Sequence, residues 1–420
     1  MNKAKIIAGI ELGSSKITTL VAQVVSDQIT FENSINIVGA ASSESKGIKK
    51  GQIVNIEEAT EAIISSVEAA ERMAGYNLDR AYIAIGGAHI HSQNSHGVVA
   101  VSDPSGEISA DDVSRVIEAA SAISLPQSRE IIHILPREFI VDGEAGAKDP
   151  LGMSGIRLEV DTHIITASNA AIKNIRKAVN EVGIEIEGLV YSGLSASEAV
   201  LSSTEKELGC VLIDIGGGTT SMAAFVEGAL SYSSVIPIGA KNVTNDLAIG
   251  LRVSLESSEK IKIMLSEATK LKKPDGDEVD LTDLDLPEVR KISKKTLVEG
   301  IIKPRLNEIF SIVRMELEKE NLNGRIPSGA IITGGGAETA GCLESAKRTL
   351  SLPVRIGKPQ GIGGLIDDIM TPAYATVVGL IMYGTENLTN EHLTSFTKKI
   401  KLPTKGIAGK FFNFIKDLLP

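Results

Sequence analysis

The sequence predicts an α/β fold that occurs twice along the chain. Short aliphatic strands are interspersed with amphipathic helices, and 420 residues contain only 8 Phe, 6 Tyr and no Trp, so the core must be built from aliphatic side chains. A chain of this length exceeds what one hydrophobic core usually organises. The segments 10–16 and 213–219 also share one pattern: aliphatic residue, acid, aliphatic residue, glycine, small residues. Such a long period indicates a duplicated domain rather than a short repeat.

In the first half, periodicity predicts short strands, an amphipathic helix over 56–75 that ends at Gly75, and a further strand at 81–87. The pattern of residue types changes at about 88–158, where an acidic helix near 109–123 and a β-rich stretch predict an inserted subdomain. The elements predicted after it are a strand at 162–168, a helix at 169–183, a strand at 186–192 and a helix at 194–202.

The second half begins with three strands over 209–238 around a triple-glycine turn. Its acidic stretch at 274–288 is expected to be a solvated loop or hairpin, and residues 385–404 have the polar composition of a linker. The predicted helices span 239–250, 254–270, 292–320 (with a candidate kink at Pro304), 338–350 and 372–384.

Charge and cysteine content exclude several classes of protein. A formal charge of −10 argues against a nucleic-acid-binding role. Two cysteines, Cys210 and Cys342, cannot form a disulfide framework or a thiolate zinc site. The apolar run at the start is too short for a secretory signal, no run of 18 apolar residues follows, and a reduced cytosolic compartment is expected.

Both copies of the repeat have the chemistry of a phosphate-binding turn. Glycine lets backbone N–H groups approach an anion closely, and the neighbouring hydroxyls add donors. Glu11 and Asp214 would hold waters around Mg²⁺, and Lys16 would place its ammonium group on a phosphate. A third glycine turn, at 331–337, follows a buried strand and would let a base or ribose lie against bare backbone. Each turn taken singly also fits an ordinary hairpin.

Together the three turns resemble the phosphate and adenosine motifs of the actin, Hsp70 and sugar-kinase superfamily. Within it, the chain resembles the FtsA family of bacterial cell division proteins over essentially its full length. A C-terminal amphipathic segment adds to the resemblance, which rests on GIELGSSKI, GLSASEAVL, LIDIGGGTTSMAAF, SSEKIKI, ITGGGA and PVRIGKP. It implies an actin-like α/β fold of duplicated ribonuclease-H-like lobes, with an inserted subdomain 1C and a C-terminal amphipathic helix.

The resemblance also implies a division of the chain into lobes. The implied units are lobe 1A at 1–87 and 159–204, subdomain 1C at 88–158, lobe 2A at 205–237 and 326–365, subdomain 2B at 238–325, a closing helix of lobe 1A at 366–384, a linker at 385–405 and a membrane-targeting helix at 406–420.

ATP with Mg²⁺ is the implied cofactor. The residues implied to face its phosphates are Gly13, Ser14, Ser15 and Lys16 on one side and Asp214, Gly216, Gly217, Gly218 and Thr219 on the other. Gly334, Gly335 and Gly336 would bracket the adenosine, and Glu259 and Lys262 would reach the ribose or base edge, although this pair also fits an exposed helical ion pair.

Hydrolysis is expected to be slow. Glu198, beside Ser197, is the candidate for orienting the attacking water, with a solvent-facing side chain as the alternative. Glu11 replaces the Asp usual in actin and Hsp70, and its extra methylene shifts the carboxylate enough to matter for catalysis. His89, His91 and His96 lie close in sequence, and with His133 they invite a metal site, but polar positions on a loop and a strand face fit better.

The tail differs in composition from the rest of the chain. Residues 398–420 contain six Lys and one acid, a net charge of +5, which leaves −15 for the remainder. On a helical wheel the apolar side chains of 407–419 share one face, which predicts an interfacial membrane helix, with packing against the body as the alternative. The residues predicted to enter the membrane are Ile407, Phe411, Phe412, Phe414, Ile415, Leu418 and Leu419.

The function implied is a polymerising adaptor that tethers FtsZ filaments to the cytoplasmic face of the plasma membrane at the division septum. The implied partners are the acidic C-terminal peptide of FtsZ, further copies of the chain, anionic lipids and other division proteins, and no nucleic acid. Candidate contacts for the peptide, with ordinary helix charge as the alternative, are Arg290, Lys294, Lys295 and Arg305. A small-molecule kinase and a pilus-assembly actin homologue are the alternative functions.

Overall fold

The structure, a computed structural model, describes residues 4–26, 33–270, 278–280, 291–365 and 368–399. Most of the acidic stretch at 274–288 lies outside these ranges. The predicted partner contact Arg290 and the whole predicted membrane segment lie outside them too, the latter comprising Ile407, Phe411, Phe412, Phe414, Ile415, Leu418 and Leu419.

The described chain contains both strands and helices, often with several strands in succession. The strands are β1 (Lys5–Leu12), β2 (Lys16–Ser26), β3 (Asn33–Glu44), β4 (Ile48–Lys49), β5 (Gln52–Ile53), β6 (Arg80–Ile85), β7 (His91–Ala100), β8 (Arg129–Val141), β9 (Glu144–Ala147), β10 (Arg157–Ser168), β11 (Glu185–Tyr191), β12 (Cys210–Ile215), β13 (Thr220–Val226), β14 (Ala229–Ile236), β15 (Glu278–Asp280), β16 (Lys291–Ser293), β17 (Ala330–Thr333), β18 (Val354–Ile356) and β19 (Gly363–Gly364). The helices are α1 (Ile56–Ala74), α2 (Ala110–Ser121), α3 (Asn169–Glu181), α4 (Ser192–Val200), α5 (Ser203–Leu208), α6 (Ala240–Leu251), α7 (Leu255–Lys270), α8 (Lys294–Leu297), α9 (Lys303–Lys319), α10 (Cys342–Leu350) and α11 (Ala375–Lys399).

The duplication predicted from the repeat is present in the sheets. The first sheet has the order β11-β6-β1-β2-β3-β19, and the second has the order β14-β13-β12-β17-β18. In each, the strand that carries the repeat pairs antiparallel with the next strand and parallel with a later one, β1 with β2 and β6, and β12 with β13 and β17. We call the halves built on these sheets the first and second lobe.

The second sheet uses its two faces for two different cores. Because side chains alternate along a strand, Leu212 packs with the aliphatic core of the first lobe, whereas Val211 and Ile213 pack with the core of the second. The large buried side chains are mostly aliphatic, with Tyr191 and Phe310 among the exceptions. The two lobes therefore share an apolar contact around α4, which touches β12 and β13.

A separate sheet of order β7-β10-β8-β9 forms the inserted subdomain, with α2 packed on it. Its own small core includes Leu158 and Val160 of β10. Further along the same strand, Ile165 and Ala167 belong to the core of the first lobe. The subdomain is therefore joined to the first lobe by a continuous strand.

Several predicted boundaries were wrong. The fourth helix begins at Ser192 rather than 194. The last helix continues to Lys399 through most of the predicted linker, because no Gly or Pro interrupts residues 385–399. The predicted helix at 292–320 contains a π-helical turn at Val298–Ile302 just before Pro304, where the missing N–H of proline is tolerated in the first turn of α9. β19 falls within the segment 326–365 that was predicted to belong to lobe 2A, but it pairs with β3 of the first sheet.

Among the described residues, no helix has both the length and the apolar character needed to cross a membrane.

Candidate functional site

The two glycine turns of the repeat contact each other across a cleft between the lobes. A Cβ added at Gly217 would lie 2.9 Å from Cβ of Ser15, and one at Gly218 would lie 2.9 Å from Oγ of Ser14. Glycine is therefore required for this close approach. Lys241 Nζ donates to the carbonyl oxygen of Ser14 at 2.8 Å, which ties the turns together from the second lobe.

The cleft is a cavity of about 480 Å³. Most of the predicted site residues line it, namely Glu11, Gly13, Ser14, Ser15, Lys16, Asp214, Gly216, Gly217, Thr219, Glu259, Lys262, Gly334, Gly335 and Gly336. Gly218 is in the turn contact just described. Residues that line the cleft without having been predicted are Gly51, Gly86, Ser192, Ser221, Lys241, Ile263, Ser266 and Thr376, among others.

Two buried carboxyl groups face the cleft from opposite lobes. Burial and the neighbouring Asp214 raise the pKa of Glu11 to about 7, although Lys16 acts to lower it. Burial raises the pKa of Asp214 to about 6, against the hydrogen bond that Thr376 Oγ1 donates to it at 3.0 Å. Oε2 of Glu11 is buried without a hydrogen-bond partner among the described residues. This pair of under-compensated acids fits a cation.

A cation bound between Glu11 and Asp214 would need further ligands from outside the protein. The described residues contain no group of three or more His, Cys, Asp or Glu that could hold a metal ion. Mg²⁺ is commonly bound by one or two carboxylates, with waters and substrate phosphates completing its octahedron. Glu11 and Asp214 therefore suit a magnesium ion that arrives with a nucleotide.

Lys16 is held by an aromatic side chain rather than by an acid. Its Nζ lies 3.5 Å from the centroid of the Tyr374 ring, a cation–π contact. This ring belongs to a single 3₁₀ turn, Pro372–Tyr374, just before α11. The arrangement keeps the ammonium group in the cleft, where it can meet a phosphate. Tyr374 was not predicted because no local sequence signal marks a residue that contacts Lys16 from the far end of the chain.

Gly334 and Gly336 are needed for packing. Gly334 has φ +81° and ψ 165°, a region essentially restricted to glycine. An added Cβ there would lie 2.2 Å from Oδ1 of Asp214, and one at Gly336 would lie 2.4 Å from Cγ2 of Ile215. At Gly335 the nearest atom is Cβ of Ala373 at 3.7 Å, an ordinary contact. The third turn thus presses against β12 through two glycines and leaves Gly335 open toward the cleft.

Glu259 and Lys262 form an ion pair inside the cleft. Lys262 Nζ donates to Glu259 at 2.7 Å and to Thr244 Oγ1 at 3.0 Å. The side chain of Lys262 is 10% exposed and that of Glu259 is 40% exposed, so the pair is buried at the lysine and open to solvent at the carboxylate. Both side chains line the cleft and can meet a ligand there.

The structure corrects the prediction for Glu198. This carboxylate accepts from Lys206 Nζ at 2.8 Å, with both side chains 17% exposed, and it does not line the cleft. The neighbouring Ser197 Oγ donates to the carbonyl oxygen of Leu194. The physical reason is the earlier start of α4: its first residue, Ser192, meets the cleft and lies 3.0 Å from Ser221 Oγ, whereas Glu198 is six residues further on.

The four histidines singled out from the sequence form no metal-binding group among the described residues. His96 bonds to Asp161 at 2.8 Å and to Glu159 at 3.0 Å. His133 Nε2 accepts from the backbone N–H of Tyr191 at 3.0 Å. Burial lowers the pKa of His89 and of His133 to about 4, with Arg129 and His91 adding to the effect at His89.

The basic residues predicted to contact a partner are not equivalent. Arg305 Nε and Nη2 donate to Asp246 at 2.6 and 2.9 Å, and its side chain also pairs with Glu308. Its guanidinium group is therefore engaged within the protein. Lys294 and Lys295 open α8, and of the two Lys295 is exposed.

Family models match two parts of the chain. Residues 87–166 match the model described as the SHS2 domain inserted in FtsA. Residues 211–379 match the model described as cell division protein FtsA.

Curated relatives extend the similarity over most of the chain. Cell division protein FtsA of Pseudomonas aeruginosa is 38% identical over 91% of this chain and 90% of its own length. The FtsA proteins of Bacillus subtilis and Escherichia coli are 36% and 33% identical, over 92% of this chain in both cases and 85% and 92% of their own lengths.

Solved structures show the same actin-like fold at low identity. A structure of the PilM–PilN type IV pilus biogenesis complex matches with a TM-score of 0.63 and 16% identity, over 90% of this chain and 98% of the other. MreB 5 of Spiroplasma citri bound to AMPPNP matches with a TM-score of 0.53 and 15% identity, over 92% of this chain and 99% of the other.

Proposed function

Because the chain belongs to the FtsA family of cell division proteins, we propose that it is an ATP-binding adaptor that polymerises and tethers FtsZ filaments to the plasma membrane. Nucleotide binding is inferred from one observation. The glycine turns of the two lobes contact each other beside two buried carboxyl groups, Glu11 of the first lobe and Asp214 of the second. MreB 5 of Spiroplasma citri, which has the same fold, was solved bound to AMPPNP, and this supports the proposal that the chain binds a nucleotide.

The residues present fit ATP with magnesium. Oε2 of Glu11 lacks a partner among the described residues, and the cleft is large enough for a compact ligand. Glu11 and Asp214 would hold the ion through its waters, while Lys16 and the N–H groups of both turns would hold the phosphates. The ion would neutralise phosphate charge when bound. The adenosine would lie between the open backbone at Gly335 and the pair Glu259 and Lys262.

Slow hydrolysis is part of the proposal. Glu198 was predicted to orient the attacking water, but it does not line the cleft. Ser192 of the same helix does, and its hydroxyl lies 3.0 Å from that of Ser221. Neither serine is a strong general base. Burial raises the pKa values of Glu11 and Asp214 to about 7 and 6 in the free protein. A bound Mg²⁺ would lower both, because a nearby opposite charge favours the ionised carboxyl group, so with the ion present neither would be a strong general base.

Membrane attachment is proposed for residues 406–420, where the predicted helix would place Phe411, Phe412 and Phe414 on one face and where the sequence has lysines around them. Partial burial of such side chains, together with about 1 kcal/mol for each lysine near anionic lipid, would bind one tail reversibly. Several tails on one polymer would bind firmly through effective concentration. Polymerisation and membrane attachment are thus expected to reinforce each other.

For the acidic C-terminal peptide of FtsZ, we propose a site in subdomain 2B, at about 238–300. Lys294 and Lys295 at the start of α8 and Arg290 just before it supply positive charge there. Asp246 already binds the guanidinium group of Arg305, so a peptide would have to compete for it.

Co-sedimentation with liposomes, ATP and FtsZ filaments tests the adaptor function. Anionic liposomes should recruit FtsZ only when this protein and ATP are both present. The variant Phe411→Glu should lose liposome binding by about tenfold or more, because a carboxylate replaces a membrane-inserted ring. Asn413→Glu adds the same charge on the polar face and should bind nearly as well as the wild type. Retained liposome binding by Phe411→Glu would refute the membrane helix.

A further inference from the structure

The inserted subdomain contacts the second lobe along a polar seam. We use seam for the contact of Ser92, Asn94 and His163 in the subdomain with Ser231 and Ser233 of β14. Ser92 Oγ donates to the carbonyl oxygen of Ser233 at 2.7 Å and accepts from its N–H at 3.3 Å. Asn94 Nδ2 donates to the carbonyl oxygen of Ser231 at 3.3 Å. Side chains of the subdomain thus satisfy alternate backbone groups on the edge strand of the second sheet.

His163 joins the two sides of the seam. Its Nδ1 lies 2.7 Å from Oδ1 of Asn94, and its Nε2 lies 2.9 Å from Oγ of Ser233. The residue is only 1% exposed. Burial lowers its pKa to about 3, with Arg137 and His133 adding to the effect. The imidazole is therefore neutral at physiological pH, with Nδ1–H donating to Asn94 and Nε2 accepting from the hydroxyl of Ser233.

The seam connects two bodies that face each other across the cleft. β10, which carries His163, runs without a break from the core of the subdomain into the core of the first lobe, so these two parts form one body. Tyr191 of the first lobe adds a contact of the same kind, since its hydroxyl lies 2.7 and 2.8 Å from the carbonyl oxygens of Met222 and Ser234. Any rotation of the second lobe must break or shift these bonds.

Hydrogen bonds constrain the lobes in a way that their apolar contact does not. The hydrophobic effect that drives the packing of aliphatic side chains around α4 is non-directional. Hydrogen bonds have preferred distances and angles, so the seam fixes one relative orientation. Water can replace each partner, which keeps the net cost of opening small.

We propose that the seam is a latch that holds the lobes together and limits the rate at which nucleotide leaves the cleft. This inference rests on the proposed binding of ATP between the lobes. The nucleotide would contact the glycine turns of both lobes, so its release requires them to separate. Ser233 is the central residue of the latch, because its backbone bonds Ser92 and its hydroxyl bonds His163.

Stopped-flow release of a fluorescent ATP analogue, chased with excess unlabelled ATP, tests the latch. The variant Ser233→Ala loses the bond to His163 and should release the analogue about 3- to 10-fold faster, the range expected for one net hydrogen bond. Ser231→Ala is the matched control on the same strand. The hydroxyl of Ser231 donates to Ala229 within β14, and its seam bond uses the backbone carbonyl, so release should be unchanged. Equal release rates in all three proteins, or equal acceleration in both variants, would overturn the latch.

Amide hydrogen exchange separates the latch from the nucleotide proposal. In nucleotide-free protein, Ser92→Ala removes the acceptor of the Ser233 N–H, and exchange over residues 229–236 should become severalfold faster, with exchange in the distant helix α10 unchanged. If the wild type retained no ATP, the nucleotide proposal and the effect on nucleotide release would both fall, and this exchange would decide only whether the seam holds the lobes together. Unchanged exchange over 229–236 in Ser92→Ala would refute it.

Discussion

Glu11 and Asp214 show how single residues define this site. Each is the next-to-last residue of a central strand, which places it at the same edge of its sheet as the glycine turn that follows. Both carboxyl groups are buried, and protein cations compensate them only in part, since Lys16 rests on the Tyr374 ring. A site with an excess of buried acid is matched to a ligand that brings its own cation, as a magnesium nucleotide does.

Gly334 provides a test of the third turn at the level of one residue. Gly334→Ala should lower the free energy of unfolding by about 3 kcal/mol or more, because alanine is strained at φ +81° and its Cβ would approach Oδ1 of Asp214 to 2.2 Å. Gly335→Ala is the control, since its Cβ would meet only Ala373 at 3.7 Å, and it should cost under about 1 kcal/mol. Urea unfolding without nucleotide measures both. Equal losses would show that the turn is not constrained as described.

At the scale of elements, regular periodicity predicted the structure well. The strands at the start, the helix capped by Gly75, the acidic helix of the subdomain and the three strands around the triple glycine all form as the patterns predicted. Helix ends without a glycine or proline signal were placed less well, as at α4 and α11. In the cleft, glycine turns were visible in the sequence because their backbone requirement is local. Lys241 and Thr376 in the cleft, and Tyr374 against Lys16, were not, because only tertiary packing brings them to these positions.

The position of Glu198 on α4 leads to a prediction about stability rather than catalysis. Glu198→Ala should leave the ATP turnover rate within about twofold of the wild type, because the carboxylate lies outside the cleft. It should lower the free energy of unfolding by about 1–2 kcal/mol, since Lys206, 17% exposed, loses its partner. Glu207→Ala is the control: it breaks an ion pair with Lys148 whose side chains are 56% and 71% exposed, and it should cost less than about 0.5 kcal/mol. A large loss of turnover in Glu198→Ala would restore the catalytic role.

At the scale of the whole molecule, the cleft is the place where two halves of a duplicated fold meet. The repeat supplies one turn and one acid to each side, so neither lobe holds a complete site. The shared apolar contact around α4 and the polar seam along β14 keep the halves together. A ligand that contacts both turns adds a further link between the lobes, and its binding energy becomes stabilisation of the folded chain.

Nucleotide and metal should therefore stabilise the chain together. With Mg²⁺ and ATP at 100 times its dissociation constant, the free energy of unfolding should rise by about 2.7 kcal/mol, seen as a higher thermal midpoint. EDTA should remove most of this gain, because Glu11 and Asp214 would then face the phosphates without an intervening cation. Lys16→Met should likewise reduce the gain, whereas Lys173→Met, which changes an exposed lysine of α3, should not. If EDTA left the gain intact, the two acids would need another explanation than magnesium, and if ATP gave no gain at all, the cleft would not be its site.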